Sequence, residues 1–126
     1  MSLNKAPLSP HLQVYRLPLV ALVSISHRFC GVVNGLGYAL FIFFLISIAS
    51  GYKTYNISYI VLTSTIGKVL MSLWVFSLFL HMSNGIRHLF WDFGYGFSGK
   101  SPLISSLMVL SATVLLTSIT VLLYLL

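Results

Sequence analysis

Three stretches of this chain carry no charged side chain, and their lengths decide what it can fold into. Between Arg28 and Lys53 lie 24 uncharged residues, including the run Tyr38-Ala-Leu-Phe-Ile-Phe-Phe-Leu-Ile46. Between Lys68 and Arg87 lie 18, and after Lys100 lie 26. A helix that crosses a bilayer needs about 20 mostly apolar residues. The sequence therefore predicts an all-α integral membrane protein with three transmembrane helices, over about 20–50, 66–90 and 103–125. The whole chain, 1–126, reads as one transmembrane domain with a short interfacial segment at 1–18.

Composition excludes the other classes. Of 126 residues, 58% are hydrophobic and 6% are charged, and the mean hydropathy is +0.99. About a quarter of a soluble domain is charged, so these few charges cannot cover a water-facing surface. A disordered chain is poor in apolar residues, and this one is rich. One cysteine, Cys30, rules out a disulfide scaffold. The net charge is +6, but the positives are scattered at the edges of the apolar stretches, where they flank membrane spans. Nucleic-acid binding needs them clustered on a soluble face, so a nucleic-acid partner is not expected. The lipid bilayer is.

The opening residues lack the apolar run and small-residue cleavage site of a secretory signal, and no amphipathic, Arg-rich transit peptide is expected. Pro7, Pro10 and Pro18 imply an extended segment at the membrane surface. Pro18 stands where a helix can begin, since its missing N–H would be unpaired there anyway. Orientation follows from positive charge near the span ends. Lys5, Arg16, Arg28, Arg87 and Lys100 fall on one side, and Lys53 and Lys68 on the other. The larger group belongs inside, which puts the N-terminus inside and the C-terminus outside. Tyr52, Tyr55 and Tyr59 at one end, and Trp91, Phe93, Tyr95 and Phe97 at the other, suit the two aromatic belts. The sequence shows no internal repeat and no linker.

Polar side chains inside spans are costly and mark functional candidates. The third span has only Ser and Thr, which bond back to their own helix, and reads as structural. The first has Ser24-Ile-Ser-His27-Arg28-Phe-Cys-Gly31 and then Gly35. Ser24, His27, Arg28, Gly31 and Gly35 line one helical face. Gly31 and Gly35 allow another helix or a flat ligand to approach closely; taken alone, such a pair is more often packing than ligand. The second has His81-Met-Ser-Asn84-Gly-Ile-Arg87-His88, then Trp91 and Asp92. His81 and His88 share a face, about 10 Å apart along the axis, with Asn84 and Gly85 between them. Arg87 and His88 stand where acidic ligand groups near the headgroups are met. Asp92, the only acid, is expected to hold a nearby Arg or His.

Two helices offering His, Arg and small residues suit a porphyrin. A neutral imidazole ligates haem iron, Arg and protonated His pair with propionates, and glycines admit the flat ring. His81 is the deeper histidine and the better iron ligand; His27, Arg28 and His88 suit the propionates. The alternative is a histidine hydrogen-bonded between helices, and the residues alone leave the two open. Zinc is poorly supported, with one cysteine, one acid and no close ligand pair.

The segments Lys5-Ala-Pro-Leu-Ser-Pro-His-Leu-Gln-Val-Tyr15, Ser24-x-x-His-Arg28-x-x-Gly31 and His81-x-x-x-Gly-Ile-Arg-His88-x-x-x-Asp92 resemble, in order and spacing, the cytochrome b large anchor subunit of succinate dehydrogenase, respiratory complex II. The resemblance covers essentially the whole chain, and its opening is like the alphaproteobacterial and mitochondrial branch. It implies a second, smaller membrane-anchor subunit, a haem b shared with it, and docking of the iron–sulfur and flavoprotein subunits. It implies that His81 is one axial iron ligand and that the partner anchor supplies the other. Ser24 and Arg28 would line a ubiquinone pocket, and His27, Arg28 and His88 would contact propionates. The membrane implied is a mitochondrial inner or a bacterial plasma membrane. Cys30 and Ala6 depart from the family pattern; Cys30 stands where Ser or Thr is usual and is expected to pack. The chain has no Gly-rich phosphate loop for a flavin and no cysteine set for an iron–sulfur cluster, so succinate oxidation is expected on other subunits. Rival readings are the anchor of a quinol:fumarate reductase and a cofactor-free structural membrane subunit.

Overall fold

Pro18 caps the first helix, as its fixed φ and missing N–H suggest. Its carbonyl accepts from the amides of Ala21 and Leu22, and helix α1 runs Leu19–Ala49. The computed structural model describes residues 16–126; most of the expected interfacial segment, 1–15, lies outside the described residues. Helix α2 follows at Tyr52–Thr63, α3 at Thr65–Asp92 and α4 at Ser101–Leu125. Helices α1, α3 and α4 match the three expected spans to within two residues at each end. All three are long and apolar enough to cross a membrane. At 31, 28 and 25 residues they are about 47, 42 and 38 Å long, against a hydrocarbon core of about 30 Å.

Helix α2 was not anticipated. Its uncharged gap, the 14 residues between Lys53 and Lys68, is too short to cross a membrane, but local chemistry defines the segment at both ends. Gly51 turns the chain out of α1 with φ 102°, which favours glycine. Ser64 ends α2 and starts α3: its amide donates to the Ile60 carbonyl, and its hydroxyl accepts from the Gly67 amide at 3.1 Å. A Cβ at Gly67 would collide with the carbonyls of Val61 and Leu62, so this tight turn needs glycine. No residue of α2 is buried. Helix α3 ends on Gly94 (φ 83°), with Gly94 N–H donating to Trp91 and Tyr95 N–H to Phe90, a Schellman cap.

The bundle is apolar outside and polar within. Leu40 (70%), Phe43 (69%) and Leu115 (61%) stand exposed. Among the described residues the buried set contains Asn34, Ser47, Ser77, Asn84, Arg87, Ser106 and Thr113, and only Val23, Cys30, Leu80 and Val109 of the hydrophobic side chains. In lipid nothing drives apolar groups inward, and helices associate through small residues and interhelical hydrogen bonds. Helices α1 and α3 are antiparallel and close: a Cβ at Gly37 would run into the Trp74 indole, and Ser77 donates to the Cys30 carbonyl at 3.2 Å. Cys30 is free and buried, in keeping with a packing role. On α4, Ser105, Ser106, Ser111, Thr113 and Thr120 donate to carbonyls three or four residues earlier, as expected of a structural span.

Candidate functional site

The antiparallel pairing of α1 and α3 brings the two sequence motifs together at one end of the bundle. Near the start of α1, His27 lies against the C-terminal half of α3. Its ring stacks on that of His81, centroids 4.0 Å apart and planes 7° from parallel. It lies 5.5 Å from the ring of His88, which meets the edge of Trp91 at 4.9 Å. His27 thus forms one cluster with two histidines that follow it by 54 and 61 residues.

His81 is held in a defined state. Its Nδ1 lies 3.1 Å from the carbonyl oxygen of His27. A carbonyl only accepts, so Nδ1 donates, and in the neutral imidazole Nε2 is then the nitrogen with the lone pair. Fixing one imidazole nitrogen on a backbone carbonyl is the usual way to orient a metal-ligating histidine. Gly31 gives the ring its room: a Cβ there would lie 3.2 Å from His81 Cε1. Gly85 faces His27, with the His27 ring 3.9 Å from a Cβ placed on it. The Nδ1 of His27 is buried and without a hydrogen-bond partner among the described residues. Among the described residues no three ligand-type side chains gather to hold a bare ion.

The rest of the α1 motif turns progressively away from α3. Ser24, His27 and Gly31 are half-buried, while Arg28 and Gly35 are exposed. Among the described residues nothing beyond its own stretch of helix lies within 4 Å of a Cβ placed at Gly35. The polar stripe therefore starts in the α1–α3 seam and opens onto the outer surface of the bundle, where a second protein or a flat ligand has access.

Asn84 is fully buried, and both its side-chain polar atoms lack partners among the described residues. Three residues at about 100° each put it about 60° around α3 from His81, on the expected face but at its buried edge. One expectation needs correction on α3: among the described residues Asp92 does not hold an Arg or His. It is exposed and forms no ion pair among the described residues. Arg87 is buried at 4% exposure, donates to Ser106 Oγ at 2.6 Å, and lies with its guanidinium carbon 4.5 Å from the centre of the Trp91 ring. The i, i+5 spacing of Arg87 and Asp92 places them on different sides of α3, and the hydroxyl on α4 is the nearer partner. The contact with Ser106 was not legible from α3 alone.

Comparison with known proteins bears on the same residues. Residues 2–121 match the family model described as succinate dehydrogenase/fumarate reductase transmembrane subunit. The chain is 38% identical over 118 residues to the succinate dehydrogenase cytochrome b556 subunit of Rickettsia felis, covering 90% of this chain and 89% of that one. It is 34% identical to the cytochrome b556 subunit of Paracoccus denitrificans, covering 94% and 91%. It is 34% identical to the mitochondrial cytochrome b560 subunit of Sus scrofa, covering 89% and 68%.

Proposed function

The chain belongs to the succinate dehydrogenase/fumarate reductase transmembrane subunit family, and on that premise we propose that it is the membrane-anchor cytochrome b subunit of a succinate:ubiquinone oxidoreductase. It holds haem b together with a second small anchor subunit and forms part of the ubiquinone-reduction site. The iron–sulfur and flavoprotein subunits dock on the side of the membrane that carries the N-terminus, which is the matrix or cytoplasmic side.

One observation carries this reading: His81 has its Nδ1 committed to the His27 carbonyl and its edge against the bare Cα of Gly31. That leaves a single oriented Nε2 in a seam that opens to the bundle surface, and such a donor suits haem iron. The unpartnered Nδ1 of His27 and the neighbouring ring of His88 supply hydrogen-bond donors suited to propionates, with the Arg28 guanidinium adding fixed positive charge. The haem, when bound, supplies one-electron transfer.

The remaining work falls to residues of α1. Quinone takes two electrons and two protons, and its carbonyl oxygens gain negative charge as it is reduced. The Ser24 hydroxyl donates a hydrogen bond to one such oxygen, and Arg28, one turn along the same face, stabilises the charge. Both effects are strengthened where protein and lipid exclude water. Among the described residues neither side chain donates a hydrogen bond, and Arg28 is exposed, so both are available to a substrate.

Replacement of the ligand tests the proposal. In the purified complex, His81→Ala is expected to lose haem or change its reduced-minus-oxidised spectrum. An unchanged spectrum and haem content would overturn the assignment.

A further inference from the structure

The side of α3 that faces away from the histidines carries a second site. At about 100° per residue, Ser83, Ile86 and Phe90 point roughly opposite to His81. With Met108 and Ala112 of α4 they line an open groove of about 390 Å³ between the two helices, and Arg87 forms part of its wall. Trp91 and Tyr95 rim it at the end where the chain enters α4. The groove is apolar along its length and cationic at one end.

We propose that this groove binds an anionic phospholipid of the leaflet on the N-terminal side, with the phosphate on Arg87 and an acyl chain along α3 and α4. Arg87 makes one hydrogen bond, to Ser106, while its Nε and its second terminal nitrogen have no partner among the described residues. A buried guanidinium with unmet donors is costly and calls for an anion. The chain offers none: its only acid, Asp92, is exposed and unpaired among the described residues. Arg87 lies five residues from the end of α3, about 7.5 Å along the axis, a depth that a headgroup phosphate meets. The half-buried Trp91 indole lies over the guanidinium, whose carbon is 4.5 Å from the ring centre, so a phosphate reaching Arg87 would displace it. A partner-subunit carboxylate answers the charge but leaves the apolar length of the groove unfilled, whereas a lipid answers both. The groove shares one side chain with the haem contacts proposed above, Trp91, which meets His88; the groove is therefore also tested at Met108 and Ala112, on α4.

The test uses the whole complex, extracted in mild detergent and examined by native mass spectrometry, with extracted lipids quantified. The wild-type complex is expected to retain an anionic phospholipid. Arg87→Gln removes the charge, and Ala112→Phe fills the groove without touching Arg87. Each is expected to weaken retention about tenfold or more, with haem absorbance preserved in Ala112→Phe. Readdition of phosphatidylglycerol vesicles is expected to restore the lipid to wild type and not to Ala112→Phe, whereas inorganic phosphate does not replace it. The proposal is overturned if Ala112→Phe retains the same lipid complement as wild type. It is equally overturned if a photo-crosslinker placed at Met108 captures polypeptide instead of lipid.

Discussion

Gly31 is where the proposed haem site is most finely poised, and a single methyl group tests it. In Gly31→Ala the added Cβ would lie 3.2 Å from His81 Cε1 and 3.6 Å from Nδ1. Carbon atoms rest about 3.5–4.0 Å apart, so the ring must retreat by a few tenths of an ångström. It has little freedom to do so, because His27 stacks on one face at 4.0 Å and the 3.1 Å bond from Nδ1 fixes its tilt. The retreat loosens that bond. Losing the partner that orients a ligating imidazole typically costs about 10–100-fold in metal affinity, or about 1.4–2.8 kcal/mol. Alanine is a better helix former than glycine by about 1 kcal/mol, so weaker haem binding will not come from a weaker α1. The assay is haem per assembled complex by pyridine haemochromogen, with the reduced-minus-oxidised spectrum and haem midpoint potential alongside. Gly31→Ala is expected to lower haem retention or shift the potential, and Gly31→Val to do so more severely. Wild-type retention, spectrum and potential in Gly31→Val would refute the reasoning, since that side chain cannot fit without moving His81.

Other expectations follow from the same geometry. Gly37→Ala drives a Cβ into the Trp74 indole; overpacking of this kind costs about 1–3 kcal/mol, and assembly measured on native gels is expected to fall and to recover in the Gly37→Ala, Trp74→Leu double variant. Ser24→Ala is expected to slow quinone reduction by about a hundredfold, about 3 kcal/mol for one hydrogen bond to developing charge, while succinate oxidation with an artificial dye stays near normal. Quinone reduction left intact by Ser24→Ala would move the contact to Ser26 or to the partner anchor. A reporter fused after Leu126 is expected to read outside, and an inside reading would reverse the proposed topology.

The spans were legible because their signal is long and one-dimensional. Charge gaps of 18 to 26 residues demand helices, and the observed ends at Ala49 and Asp92 follow from where Gly51 and Gly94 break the helical run. Helix α2 was not legible for the opposite reason. Its twelve residues mix Lys53, Thr54 and Asn56 with tyrosines and have no buried face, so no periodic pattern separates it from a loop. What makes it a helix is punctuation: Gly51 at one end and the shared Ser64 cap at the other.

The site divides in the same way, between what one helix encodes and what two helices create. Spacing on α1 and α3 placed Ser24, His27 and Arg28 on one face and His81 and His88 on another. The antiparallel seam then brought the three histidines within stacking distance. Helical spacing alone did not show the partner of Arg87, because α3 serves both the seam with α1 and the contact with α4. Position 84 sits between those two neighbours, and position 87 belongs to α4 through Ser106. Helix α3 is therefore two-sided. Its imidazoles lie in the seam with α1, and Arg87, buried among the described residues, turns to Ser106 of α4. Adjacent residues stand about 100° apart around α3, yet Arg87 and His88 both lie against the Trp91 ring, so the indole is where the two sides of the helix meet.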